Sequence, residues 1–538
     1  MAKNVLWIMA DQLRWDYLSC YGHPHLDTPN IDKLAERGVR FNKAYIQSPI
    51  CGSSRMSYYT GRYTRSHGAT WNFYPLRVGE PTLGDHLKRI GVRNVLAGKT
   101  HMIADTKGME WLGIDPESDM GLHIAQCGFE PYDRDDGLHT SVHDRGTHYD
   151  RYLNDLGYDG DIPWHDWANS HEGDDGECLS GWLIHNNQRP ARVPEEHSET
   201  AYMTNRAMAF MDEAGDQPWC LHLSYIKPHW PYVAPAPYHD MYGPETWLPF
   251  NRTDAEKENA QPVFAAFIQQ RVCRAFSQAK VRDAMMAAYM GLIKQIDDHL
   301  GRLFAFMDEK GLSEDTMIVF CSDHGDYLGD HWMGEKDLFH DCSVRVPMIV
   351  ADPSPAADAT RGTVSEALVE GIDLAPTFVE YFGGEALPHI LEGQSLMPLL
   401  HGEKTDLRDF AISEYDYATR EARTILGQDH NDCRLIMCAD KRWKYWHAEG
   451  HRPALYDLEN DPNELVDLGE SQNPDHVAIR ALMHERIFEW ARRHHNRITR
   501  TGDEIVAVDG NEPLGIIIGV WDEDAYEERF GHPFEQRP

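Results

Sequence analysis

The chain has 538 residues, with 51 Lys and Arg against 87 Asp and Glu, for a formal net charge of −36. Apolar residues at 41% and aromatics at 11% exclude wholesale disorder, and no apolar run nears the ~18 residues that a membrane span needs. The negative charge repels a phosphate backbone, which argues against nucleic acid as a partner and requires any anionic substrate to find a local cationic pocket.

The opening MAKNVLWIMADQ has one basic residue and a short apolar run that stops at Asp11, without a spacer or small-residue cleavage site, so it does not read as a secretory signal. The ten cysteines are scattered without CxxC spacing, which argues against a zinc ribbon or a disulfide framework and fits reduced thiols in a cytoplasm. Residues 4–10 read as a strand buried on both faces, and 30–38 as a short helix ended by Gly38. Short buried strands are expected at 95–97 and 219–225. Residues 105–195 are rich in Asp, Gly and His (123, 139, 143, 148, 165 and 171) with little periodicity; the histidine spacings fit no ligand template, so a solvated acidic insertion is expected, one able to wall a substrate pocket. Across 278–310 apolar residues recur at spacings of three and four, which predicts a long amphipathic helix ended by Gly311. The strand TMIVFC (316–321) follows, and then Ser-Asp-His-Gly. Helix, buried strand and polar strand end together predict a doubly wound, mostly parallel α/β sheet flanked by helices, with sites at the carboxyl ends of its strands.

Beyond residue 400 the pattern changes to short β segments (410–415, 433–438, 442–447, 454–458) and a helix across 475–494, which predicts a smaller antiparallel-sheet domain. The expected division is 1–400, 401–499 and an arm at 500–538. The arm has apolar residues but no helical period, and reads as a peripheral strand or as an arm packing on another subunit.

Three groups of residues carry chemistry. Cys51 begins a short helix and Arg55 falls on the same face four residues later, placing a guanidinium beside a helix N-terminus, a good anion environment. Asp11-Gln12 and Asp323-His324, at the ends of two buried strands, form a mixed oxygen and nitrogen set for a divalent cation. Lys99, His101, His229 and Lys336 are cations or potential cations beside short strands, where an anionic substrate could be held.

NVLWIMADQ, the Cys-x-x-x-Arg segment running into Thr-Gly-Arg, GKTH, KPHWP, SDHGD, GEK and LYDLENDPNE occur in the order found in the type I sulfatase family of the alkaline phosphatase superfamily, which the chain resembles across roughly residues 3 to 468. It looks most like the branch holding the phosphonate monoester hydrolases and their arylsulfatase relatives. The resemblance implies an alkaline phosphatase-like fold and conversion of Cys51 to formylglycine, whose hydrated aldehyde supplies one hydroxyl to attack sulfur or phosphorus and a second to expel the product acid. It further implies that Asp11, Gln12, Asp323 and His324 bind a metal ion alongside residue 51, and that Arg55 orients the nucleophile. Lys99 and Lys336 would hold substrate oxygens, His101 would be the base of the breakdown step, and His229 would protonate or stabilise the leaving oxygen. Asn72 is a further pocket candidate. A formylglycine-generating maturation enzyme and a homodimer or homotetramer are implied as partners.

Three departures stand out. Ser53 occupies a position where the maturation signal usually has Pro or Ala. Gln12 and His324 stand where Asp and Asn are frequent, as in the phosphonate hydrolase branch, and the imidazole favours Mn²⁺ or Zn²⁺ over Ca²⁺. Lys99 and His101 follow the sulfatase pattern instead. The expected activity is metal-dependent hydrolysis of sulfate monoesters, with phosphonate monoesters or phosphodiesters as the alternative. A non-catalytic anion-binding protein with an unmodified Cys51 and a Cys-His hydrolase using His101 or His229 rank lower.

Overall fold

The computed structural model describes residues 3–138, 146–508 and 517–536. Its centre is an eight-stranded sheet of β1 (Asn4–Asp11), β2 (Val39–Tyr45), β3 (Arg93–Gly98), β4 (Glu130–Arg134), β5 (Trp219–Pro228), β6 (Thr316–Cys321), β7 (Met348–Ala351) and β8 (Thr363–Glu370), in the order β8-β2-β7-β6-β1-β5-β3-β4. Neighbours pair in parallel except at β7, which runs antiparallel to both β2 and β6.

The sequence of β1 explains its central place. Side chains alternate across a strand, so Val5, Trp7 and Met9 enter the core on one face while Leu6, Ile8 and Ala10 enter the core on the other. All eight residues are buried, and the strand must be covered on both sides. On one face the 31-residue helix Ala279–Glu309 lays Met285, Tyr289, Leu292, Ile296 and Leu303 into that core. Because β5, β1 and β6 are parallel neighbours, their carboxyl ends open on one edge of the sheet, and the chain leaves that edge at Asp11, Pro228 and Cys321.

The smaller sheet consists of β9 (Ala411–Asp416), β10 (Arg434–Ala439), β11 (Trp443–Ala448) and β12 (Ala454–Asp457), all antiparallel. Helix Pro474–Ala491 covers it with Met483, Ile487 and Trp490 against Ile412, Cys438, Tyr445 and Leu455. Buried Lys444 on β11 ties the smaller sheet to helix Asp341–Val344 of the larger unit through an ion pair to Asp341 (2.5 Å), and also pairs with Glu464 (2.7 Å).

Two expectations change. Residues 105–195 are not a solvated insertion throughout: they supply β4, the helices Thr106–Leu112, Asp119–Ala125 and His148–Asp155, and the paired strands Ser170–Glu172 and Cys178–Ser180. Tyr149, Leu153 and Trp164 are buried in the main core. The segment packs through scattered aromatics and side-chain caps such as Asp105 and Ser118, which leave no periodic trace. Of its histidines, His139 and His143 lie outside the described residues; His123 pairs with Asp85, and His148 with Asp133. The arm, expected to lack helix, contains helices Gly502–Ala507 and Glu523–Phe530, started by Thr501 and Asp522 caps. None of the ten cysteines is in a disulfide, and no helix among the described residues is long and apolar enough to cross a membrane.

Candidate active site

Helix Cys51–Thr60 runs beneath the carboxyl edge of the sheet with all ten residues buried. It is fixed to the end of β6 by two hydroxyls, Ser54 Oγ donating to Asp323 O (2.7 Å) and Tyr58 OH donating to Ser322 O (3.1 Å). Asn72 sits against its first turn and accepts from Gly52 N at 2.8 Å. A Cβ at position 52 would lie 2.8 Å from Asn72 Oδ1 and 3.1 Å from its Cα, so glycine permits that approach. Cys51 is therefore presented at a helix N-terminus, where backbone N–H groups favour an anion.

Around Cys51 the structure gathers the residues that the sequence separates by more than 300 positions. Cys51 Sγ lies 2.9 Å from His324 Nε2 and 4.0 Å from Asp11 Oδ1. One donor atom each from Asp11, Cys51, Asp323 and His324 falls within 4.8 Å of all the others, and all four residues are buried. His324 Nδ1 donates to Gly325 O (2.8 Å), which turns Nε2 toward the cluster. Gln12 points the same way: its Nε2 donates to Asp326 Oδ2 (2.5 Å), leaving Oε1 to accept from Lys336 Nζ (3.3 Å). Two carboxylates, an imidazole, an amide oxygen and residue 51 are a donor set suited to a divalent cation, so the residues fit the metal that the resemblance implied.

Arg55 bridges the two carboxylates, with Nε on Asp323 Oδ2 (2.7 Å) and Nη2 on Asp11 Oδ2 (3.1 Å). Its Nη1 donates to Lys99 O (2.9 Å) and Ser224 Oγ (2.8 Å). Lys99 Nζ pairs with Asp11 Oδ2 at 2.5 Å. Lys336 Nζ contacts Cys51 Sγ (3.1 Å), His229 Nε2 (3.1 Å) and Gln12 Oε1 (3.3 Å). Every residue named from the sequence thus belongs to one neighbourhood, with Asn72 at its helix end and His101 beside Cys51.

Burial and charge oppose each other here. Burial raises the Cys51 thiol, but Lys336, then His324 and Lys99, outweigh it, with His101 adding to the effect, and hold the group well below its ordinary value. Asp11 is held well below the usual carboxylate range because Lys99, His229 and Arg55 overcome burial. His229 is pushed down to about 4 by burial and by Lys99 and Lys336; its Nδ1 donates to Trp230 O (2.5 Å). His324 is raised to about 9, since Asp323 and Cys51 outweigh burial. The buried Arg55, Lys99 and Lys336 thus supply locally the positive charge that the chain as a whole lacks.

Sequence reasoning missed the residues that position these groups. Asp326, fully buried, accepts from Gln12 and from Tyr232 OH (2.7 Å). Asp136, on the 105–195 segment, accepts from Thr100 N and His101 N (both 2.8 Å) and so fixes the loop after β3. Asp326 was visible in SDHGD; Ser224, Tyr232 and Asp136 had no local signal.

A mostly parallel sheet with a buried nucleophile-sized residue, paired carboxylates and cations at its carboxyl edge defines a hydrolase that acts on an anionic ester. The family model described as Sulfatase matches residues 3–384, and one described as N-sulphoglucosamine sulphohydrolase, C-terminal, matches 329–493. The chain belongs to the sulfatase family. It is 32% identical over 524 residues to the multifunctional alkaline phosphatase superfamily protein PehA of Trinickia caryophylli, covering 92% of this chain and 96% of that one. An arylsulfatase of Clostridium perfringens is 28% identical, covering 88% and 91%. The structure of a phosphonate monoester hydrolase from Silicibacter pomeroyi matches with a TM-score of 0.79 at 27% identity, covering 92% and 96%.

Proposed function

We propose that Cys51 is converted to formylglycine and that the protein hydrolyses sulfate monoesters through it, with a divalent metal ion held by Asp11, Gln12, Asp323, His324 and residue 51. The observation that carries this reading is the convergence of those donor groups with Arg55, Lys99 and Lys336 on one buried helix N-terminus. The hydrated aldehyde supplies an oxygen nucleophile together with a second hydroxyl for release of the product. A bound cation would add Lewis acidity and stabilise charge on the attacked group, and the His324 nitrogen favours Mn²⁺ or Zn²⁺, with Ca²⁺ less suited.

The chain's own groups do the rest. Arg55 aims Asp11 and Asp323, and the two carboxylates, outweighing burial, hold its guanidinium well above its usual value. Lys99 and Lys336 flank residue 51 and hold the oxygens of a tetrahedral anion. Lys336 contacts both Cys51 Sγ and His229 Nε2, so the Lys336–His229 pair is placed to put a proton or hydrogen bond on the leaving oxygen. His101, with Nε2 buried and its backbone held by Asp136, is the base for release. Asn72 orders the first turn of the helix. The second reading, hydrolysis of phosphonate monoesters or phosphodiesters, draws on Gln12 and His324 and on the likeness to the Silicibacter pomeroyi structure; both ester classes present a singly charged tetrahedral anion, so one site can process both.

The reading carries with it a maturation enzyme as partner, a cytoplasmic location that ten free cysteines suit, a homodimer or homotetramer, and a catalytic unit over 1–400 with further units at 401–499 and 500–538. Purified protein should cleave p-nitrophenyl sulfate in a metal-dependent way, and C51A should abolish this. Turnover of phenyl phosphonate monoesters without turnover of sulfate would promote the second reading; activity retained in C51A would overturn both.

A further inference from the structure

Beside the reactive groups lies a cavity of about 300 Å³ whose walls include Trp182, Trp230, Tyr232, Phe276, Arg271 and Glu335. Trp230 and Glu335 are the chain neighbours of His229 and Lys336, and the Tyr232 hydroxyl reaches Gln12 (3.5 Å) and Asp326 (2.7 Å), so the cavity adjoins the site. Its walls are mostly apolar and carry four aromatic side chains. The Trp182 and Trp230 rings are 6.0 Å apart at 60°, Tyr232 and Phe276 are 6.4 Å apart at 67°, and Trp230 lies 4.7 Å from the His229 ring.

Glu335 is the acid in this wall. It is only 9% exposed, and among the described residues its carboxylate accepts no hydrogen bond and forms no close ion pair. A largely buried carboxylate left without a partner is costly. The adjacent Lys336 does not serve it, because its ammonium is directed at Cys51, His229 and Gln12. Arg271 is exposed at the rim and makes no ion pair with Glu335. The residue also holds a left-handed backbone with φ of 61°, a conformation that glycine would adopt without strain. An acid kept at a strained, buried and unpaired position points to a ligand that completes it.

We propose that this cavity receives a cationic ammonium group, quaternary or protonated, carried on the alcohol portion of the ester, with the faces of Trp182 and Trp230 and the Glu335 carboxylate as its counterparts. Aromatic faces attract such cations through their quadrupole, and desolvation strengthens both that attraction and the ion pair. The ester substrate is then a zwitterion, its anionic end against Lys99 and Lys336 and its cationic end against Glu335. This assignment of substrate class rests on the ester-hydrolase reading of the adjacent site.

The test has two arms. In the first, phenyltrimethylammonium is titrated into the full-length protein and into Glu335→Gln by calorimetry, a readout independent of turnover. Saturable binding that weakens about tenfold in the variant is expected; no binding, or equal binding to both, overturns the proposal. In the second, kcat/KM is measured for 4-(trimethylammonio)phenyl sulfate and its uncharged isostere 4-tert-butylphenyl sulfate. The expected result is that E335Q lowers the cationic-to-neutral ratio about tenfold. Because both esters meet the same Lys336 and differ in intrinsic reactivity by a constant factor, the change in ratio isolates the cavity. An unchanged ratio with both esters turned over overturns the cation assignment and leaves the hydrolase reading standing. Turnover of neither overturns the sulfate-ester reading, while the first arm still decides the cavity. A corresponding Trp182→Leu variant should weaken the cation in both arms, and no effect there removes the aromatic contribution.

Discussion

Replacing Asp326 by Asn probes how Gln12 is aimed. In the structure Gln12 Nε2 donates to Asp326 Oδ2, Tyr232 OH donates to the same oxygen, and Gln12 Oε1 faces Lys336 Nζ. An amide at 326 has one acceptor oxygen instead of two. Asp326 Oδ1 accepts from Leu328 N (2.9 Å); if the Asn oxygen keeps that bond, the Asn NH₂ faces both the Gln12 NH₂ and Tyr232 OH, and the relief is a flip of the Gln12 amide that turns Nε2 toward Lys336 and the donor cluster and Oε1 away from it. A metal ligand is thereby exchanged for a donor pointing at a cation. Loss of a group that orients a ligand typically costs 10- to 100-fold in metal affinity, about 1.4 to 2.7 kcal/mol. The assay is a calorimetric titration of metal-stripped D326N with Mn²⁺ and with Zn²⁺ against the parent protein, with thermal unfolding to confirm that the near-isosteric change leaves the fold intact. Affinity within about twofold of the parent in a folded variant would refute the placing of Gln12 among the ligands.

Other substitutions test other contacts. R55A leaves Asp11 and Asp323, both fully buried, without their shared guanidinium, and should cost at least about 3 kcal/mol in urea unfolding of the metal-free protein; a loss below about 1 kcal/mol would contradict the charge arrangement. In G84A the new Cβ would meet Gly128 O at 2.1 Å, so a loss of roughly 1–3 kcal/mol and a lower Tm are expected, whereas an unchanged Tm would show that these backbones separate freely. Asp297 accepts from Asn30 N and Ile31 N, yet burial raises it from 3.8 to about 6. A carboxyl raised on folding binds its proton more tightly in the folded state, so its contribution is fully present below pH 3.8 and is lost as the pH climbs through about 6. The difference in stability between parent and D297N should therefore shift across that window by up to roughly 2–3 kcal/mol, and a pH-independent difference would contradict the raised value.

How much of this was legible in the sequence depended on whether a signal was local. β1 and β6 are continuous apolar runs ended by Asp11 and by Ser322-Asp323-His324, so both the strands and the ligand candidates at their ends could be read directly. β2, β7 and β8 escaped notice: β2 is interrupted by Arg40, Asn42 and Lys43, β7 has only four residues, and the first half of β8 is largely exposed, so none gives a strong periodic pattern. The buried core of the 105–195 segment was hidden for a related reason, since Tyr149 and Trp164 pack singly among polar neighbours. The helices of the arm did leave a trace in the Thr501-x-x-Glu504 capping box, which its lack of apolar period obscured. In the site, the candidate residues lie in short motifs, whereas Asp136, Ser224 and Tyr232 act only through tertiary contacts, and Glu335 gains its meaning only from the cavity around it.

The nucleophile itself is tested most directly by the mass of the peptide containing residue 51 from active protein produced with a formylglycine-generating enzyme. The predicted result is the mass of an aldehyde in place of the thiol, in a fraction that tracks specific activity across preparations, even with Ser53 in the maturation signal. An unmodified Cys51 at full occupancy in protein that turns over sulfate esters would contradict the formylglycine mechanism.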